Sequence, residues 1–84
     1  PRIKQVIPQE KFILLVTFDD GKQVLYDLKD DINELPGYGI LSSVPGLFEQ
    51  VHLDDSRTCI SWNTEVDLPS DTIYEYGIPV TKEK

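Results

Sequence analysis

One histidine and one cysteine, His52 and Cys59, are the side chains of this 84-residue chain best suited to nucleophilic or acid-base chemistry. A Ser-His-Asp or Cys-His arrangement has to use His52, with Cys59 or a serine as the nucleophile. A hairpin pairing residues 51–53 with 58–60 makes His52 and Cys59 near neighbours on its outward face. Catalysis by such a pair also needs a third, orienting group and an oxyanion site, and no motif indicates either. The expected state is a half-exposed histidine beside a buried or edge cysteine. The same two residues lack the four-ligand spacing of a structural zinc site. The acidic pairs Asp19-Asp20, Asp30-Asp31 and Asp54-Asp55 do not continue into the alternating oxygen ligands and distal Glu of a calcium loop, and turn chemistry explains two of the three. Glu65 and Asp67 share a face in an extended segment, as a general acid/base pair does, and so do ordinary surface carboxylates. Gly37 and Gly39 have no strand-to-helix context, Lys or Ser/Thr at phosphate-loop spacing. No catalytic residue, cofactor or metal is expected.

The elements that position these residues begin with Phe12 to Leu28, FILLVTFDDGKQVLYDL, two β-prone runs around Asp19-Asp20-Gly21. Asp20-Gly21 suits the centre of a two-residue type I′ hairpin turn. Phe12, Leu14, Val16 and Phe18 then share one face with Val24, Tyr26 and Leu28, and that face is the expected core. The first strand also carries Ile13 and Leu15 on its other face, where a solvent-backed sheet would be polar. An intramolecular loop, a second copy or another protein has to cover them, which makes Ile13 and Leu15 the interface candidates.

Arg2 to Ile7 reads as a strand stopped by Pro8. Residues 29–50, broken by Pro36, Gly37, Gly39, Pro45 and Gly46, admit only short helical turns, at 31–35 and 40–43. Leu35, Ile40, Leu41, Val44, Leu47 and Phe48 are apolar enough to pack this segment down as a lid. Residues 51–54 and 58–63 form a second hairpin around Asp54-Asp55-Ser56-Arg57, with Trp62 as a core or rim anchor. A short extended piece is expected at 65–68. Ser70 opens a final helix as its N-cap, with Ile73 and either Tyr74 or Tyr76 facing inward, and Gly77 stops it. Pro79 ends the ordered part.

Composition bounds the rest. Hydrophobic residues make up 39% and charged residues 27% of the chain, a globular balance. Residues 1–80 are read as one domain and 81–84 as a polar tail. A domain this small buries only roughly 60% of the surface its unfolded chain exposes, so a partner on an apolar face would matter to its stability. The net charge of -7, with its basic residues scattered singly, opposes direct nucleic-acid binding and anionic membranes. A single cysteine excludes an internal disulfide, and the chain lacks a signal-like segment or the ~20 apolar residues needed to span a bilayer. A cytoplasmic location is expected.

Four pieces in order, the Phe18-Asp20-Gly21 hairpin, Leu47-Phe48 leading into a strand, Ile60-Ser61-Trp62-Asn63, and Asp67-Leu68 running into a Tyr-containing helix, resemble a family of small bacterial domains, domain-of-unknown-function family 2442, over about residues 3 to 77. The resemblance implies a two-layer α+β fold with a bent antiparallel sheet, here of about five to six strands, and small helices, the last at 70–76. Some members look like the N-terminal half of helix-turn-helix proteins, and others are encoded beside a second small protein in what resembles a toxin and antitoxin pair. The sequence to Lys84 holds no DNA-reading helix, so the first pattern is not expected. Asn63-Thr64-Glu65 stands where the family usually has a Pro-Asn-Gly-like turn. No catalytic residues carry over.

The leading expectation is a non-enzymatic protein-interaction or regulatory module, forming a homodimer or binding a small, basic cognate protein in an antitoxin-like or accessory role. The alternative is a small-molecule sensor or minor enzyme using a cleft between the lid and the sheet, near His52 and Trp62.

Overall fold

The computed structural model describes residues 1–35, 37–62 and 66–80. Strands β2 (Ile13–Phe18) and β3 (Gln23–Asp27) pair antiparallel, with Leu14 opposite Tyr26 and Val16 opposite Val24. Leu14, Val16 and Val24 are fully buried, each worth roughly 1.5–3 kcal/mol of apolar burial. The turn between them differs from the two-residue expectation. Phe18 N–H donates to the Lys22 carbonyl at 2.8 Å and Gly21 N–H to the Phe18 carbonyl at 2.9 Å, and within the turn only Gly21 has positive φ, +92°. A type I′ turn needs positive φ at both central residues, whereas a three-residue loop ending in a glycine bulge needs it once. The Asp20 carboxylate favours the longer loop by accepting from Lys22 N–H at 2.9 Å.

β1 (Ile3–Pro8) lies against β2, with Pro8 its last residue, opposite Leu14. On the outermost strand the missing proline N–H interrupts no ladder. Phe12, expected on the β2 strand, sits instead in the preceding connection, where Lys11 and Phe12 have φ of 63° and 60°. Such backbone costs on the order of 1–3 kcal/mol per residue. It is offset where Phe12 packs edge-on against Phe48, centroids 5.3 Å apart, and where its carbonyl accepts from Leu28 N–H at 2.9 Å.

The middle segment forms α1 (Lys29–Glu34), α2 (Ile40–Ser43) and a 3₁₀ turn at Phe48–Gln50. Leu41, Leu47 and Phe48 enter the core, but Leu35 and Val44 remain 45% exposed, because each follows the end of a helix in extended backbone. β4 (His52–Leu53), β5 (Cys59–Ser61) and β6 (Asp67–Pro69) then make an antiparallel sheet. Helix α3 (Ser70–Tyr76) leads into β7 (Ile78–Pro79), which pairs with β3.

The chain is thus α+β, with seven strands among the described residues in two antiparallel sheets, β1-β2-β3-β7 and β4-β5-β6. The single bent sheet of five to six strands is divided because the turn before β5 meets β1 at one backbone bond, Ile3 N–H to the Arg57 carbonyl at 2.7 Å, in place of a ladder. The two sheets share one hydrophobic core.

Two details of α3 also differ from expectation. Ser70 is the first helical residue, following Pro69, and its buried hydroxyl donates to the Pro1 carbonyl at 2.6 Å, so it caps no helical N–H. Inward-facing Ile73 is fully buried and Tyr76 is 71% exposed, which leaves Tyr74 to pack, edge-on against Phe18 at 4.8 Å. Ordered pairing runs past Pro79, since Val80 N–H donates to the Gln23 carbonyl at 2.8 Å. Residues 63–65 and 81–84, which include the expected family turn, Glu65 and the polar tail, lie outside the described residues.

Arg57 ties the sheets together. Its guanidinium donates to both Asp19 carboxylate oxygens, at 2.9 and 3.0 Å, and to the Ile3 carbonyl at 3.3 Å. Both side chains of the pair are partly exposed, so screening limits its worth. Replacing Arg57→Ala is expected to lower stability by about 0.5–1 kcal/mol in low salt and by less in about 1 M salt, as read by urea unfolding. An equal loss at both ionic strengths would show that the bridge is not what Arg57 contributes.

Candidate functional site

His52 and Cys59 lie on the same face of the small sheet without meeting as expected. The register sets His52 opposite Ser61 and Leu53 opposite Ile60, while Cys59 stands opposite Pro69. His52 and Cys59 are therefore diagonal neighbours at best. Ser61 also stands opposite Asp67, so a His-Ser-Asp row crosses the three strands. Sequence reading missed this row because the partner of each residue depends on register. Its order does not suit nucleophilic catalysis, which needs the imidazole between nucleophile and acid. His52 Nδ1 instead donates to the Gln50 carbonyl at 3.1 Å. Burial, then the charges of Asp67 and Asp54, push the Cys59 thiol above its ordinary value, which keeps it in the protonated, weakly nucleophilic form.

Trp62 belongs to the opposite side of that sheet. It is 3% exposed, stacks on Phe48 with centroids 6.2 Å apart, and its Nε1 donates to the Phe48 carbonyl at 2.9 Å. His52 is exposed. The structure does not bring these two side chains to a common cleft, and no ligand-sized cavity opens among the described residues.

The acidic pairs serve turns and ends of elements. Asp19 meets Arg57; Asp20 accepts from the Tyr74 hydroxyl at 2.6 Å, and that bond, then the Lys22 N–H, lowers its carboxyl below the usual value. Asp54 accepts from the Ser56 hydroxyl and Thr58 N–H across its turn. Asp31 accepts from the Tyr26 hydroxyl at 3.1 Å. No three of the described His, Cys, Asp and Glu side chains gather as metal ligands.

Ile13 and Leu15 lie on the outer face of the four-stranded sheet, where they have company. Leu15 stands opposite Ile7 on β1 and Leu25 on β3, and Leu25 stands opposite Ile78 on β7. An apolar row, Ile7, Leu15, Leu25 and Ile78, therefore crosses every strand of the sheet. Ile7 is 38%, Leu25 37% and Ile78 65% exposed, with Leu15 and Ile13 half-buried. The lid does not cover this row: its buried residues, Leu41, Leu47 and Phe48, join the core. On one side of the row lie Gln5, Thr17 and Gln23, with Gln23 Nε2 donating to the Thr17 hydroxyl at 3.0 Å. On the other, Ile13 stands opposite Asp27, which pairs with Lys29 at 3.2 Å.

Leu25 was legible as the middle of Val24-Leu25-Tyr26, apolar on consecutive positions like Ile13-Leu14-Leu15. Ile78 was not, because a two-residue strand leaves no alternation to read.

Among the described residues no helix is long and apolar enough to cross a membrane. No curated protein and no solved structure matches the chain significantly. A family model described as protein of unknown function, DUF2442, matches residues 3–79, nearly the whole of a chain with the α+β architecture just described, and the chain belongs to that family.

Proposed function

We propose that this chain is a non-enzymatic protein-interaction or regulatory module, acting in the cytoplasm, that docks a protein on the outer face of its four-stranded sheet. The docked protein is a second copy or a small cognate protein, toward which this chain has an accessory, antitoxin-like role. The observation that supports the reading is the continuous apolar row from Ile7 to Ile78, with three of its four side chains more than a third exposed. A row of this kind is the usual mark of a contact surface, whereas the polar row at His52, Ser61 and Asp67 has the wrong order for nucleophilic catalysis.

The test is the native mass of the tagged protein recovered gently from its host's lysate, alongside an Ile13→Lys plus Leu15→Lys variant. Burying two unpaired charges in a contact costs several kcal/mol. The native chain is expected to run as a dimer or with a second small protein, and the variant, with unchanged far-ultraviolet circular dichroism, is expected to run alone. Unchanged recovery by the variant would place the contact elsewhere.

A further inference from the structure

We infer that the occupant of this outer sheet face is a second copy of the chain, packed face to face about a two-fold axis that runs along the apolar row. The inference rests on the docking reading above and commits it to one partner. Charge decides the choice. The chain carries a net charge of -7, yet at the paired positions of the strand ladder this face holds one ionisable side chain, Asp27, which Lys29 neutralises at 3.2 Å. The exposed Lys4 sits at the β1 bulge, outside the paired positions, and adds no carboxylate. A basic partner would be drawn to the carboxylates that lie elsewhere, at Asp19, Asp20, Asp54 and α1, and would find none to pair with here. Two copies repel each other least where neither presents net charge, and an isologous contact needs a patch that complements itself.

The layout of the face selects the axis. A two-fold parallel to the strands would set Asp27 of each copy over Ile13 of the other, a carboxylate against an aliphatic side chain. A two-fold along the row sets Leu15 and Leu25 against their own counterparts and brings Gln23 of one copy opposite Asp27 of the other, so that a side-chain amide N–H can donate to the carboxylate. It also lays the Gln5, Thr17 and Gln23 side over the Ile13 and Asp27 side, because both lie two residues from the row. The face measures roughly 20 by 17 Å, less than the ~800 Å² that each partner contributes to a standard interface. The dimer is therefore weak and concentration-dependent.

The experiment is sedimentation velocity of the purified chain from about 10 µM to about 1 mM. A reversible monomer-dimer equilibrium is expected. Leu25→Lys, at a position exposed enough to accept the change without unfolding, should raise the dissociation constant by about 100-fold or more. As a second readout, Leu25→Cys in a Cys59→Ser background should form a covalent dimer under mild oxidation, and Glu75→Cys in the same background should not. A native chain that stays monomeric throughout, a dimer that Leu25→Lys leaves unchanged, or crosslinking through position 75 in place of 25 would each overturn the inference. The two readings fail separately. A purified monomer that still recovers another protein from lysate, and loses it with Ile13→Lys plus Leu15→Lys, overturns the second copy and leaves the docking face; a monomer that recovers nothing overturns both.

Discussion

Replacing Trp62→Ala is expected to remove about 3–5 kcal/mol of stability. A chain of this length has roughly 4–13 kcal/mol in all, so the variant should be largely unfolded at modest urea. Three effects combine. The indole is 3% exposed and leaves a cavity in the core shared by the two sheets. Its stack on Phe48 is lost, and with it the support for the Phe12 edge contact that holds a strained connection in place. The Phe48 carbonyl loses the indole Nε1 donor at 2.9 Å and keeps only the longer bond from Val51 N–H at 3.4 Å, a weakening of about 1 kcal/mol. Trp62→Phe separates these effects: it retains most of the packing and lacks the donor, so it should fall between the native chain and Trp62→Ala. Urea unfolding followed by circular dichroism reads both variants, since fluorescence is lost with the tryptophan. A Trp62→Ala chain within about 1 kcal/mol of native would show that the core closes over the gap.

Trp62 also shows what the sequence made legible. A lone tryptophan after an alternating Cys-Ile-Ser run is an anchor on any reading, and the pattern that buries it also buries Ile60. The Phe12 to Leu28 hairpin was readable for the same reason, because two alternating runs around Asp-Asp-Gly fix a face before any long-range contact forms. The loop type was not, since Asp-Gly suits both the two-residue turn and the glycine bulge, and the local Asp20 bond to Lys22 N–H that favours the bulge forms only once the longer loop is adopted. Division into two sheets was equally hidden: it depends on a single backbone bond between Ile3 and Arg57, residues 54 positions apart.

The apolar sheet face was half legible. Ile13 and Leu15 stood out because they break a polar face, but the row they belong to exists only through pairing with β1, β3 and β7. Register turns isolated apolar residues into a surface. The same dependence explains why His52 and Cys59, directly opposite if residues 51–53 pair with 58–60, are diagonal in the observed register. Local pattern names the strands here, and long-range pairing decides which side chains share chemistry.

Gly77→Ala is expected to destabilise the fold by about 1–3 kcal/mol through overpacking, although a glycine before a strand reads from sequence as a simple helix stop. Its φ of -68° is open to any residue, so conformational freedom is not the reason for glycine. Space is. A Cβ there would stand 2.7 Å from the Ile73 carbonyl oxygen and 2.7 Å from Val24 Cγ2, closer than real contacts allow. The Ile73 carbonyl is also held, accepting from Gly77 N–H at 2.9 Å, and Val24 is fully buried in the core, so neither can yield cheaply. An alanine gains about 0.4–1 kcal/mol by restricting the unfolded chain, and the clash outweighs that gain. Relief has to come from moving the end of α3 and β7 away from β3, which loosens the Val24 to Pro79 and Leu25 to Ile78 pairs. Hydrogen exchange at Val80, whose N–H donates to the Gln23 carbonyl, should therefore accelerate more than exchange in the β1 and β2 ladder, and the proposed dimer should weaken because Ile78 closes the apolar row. Native-like exchange at Val80 with unchanged stability would mean that the backbone at Gly77 adjusts within its own loop and that β7 is not held by this packing.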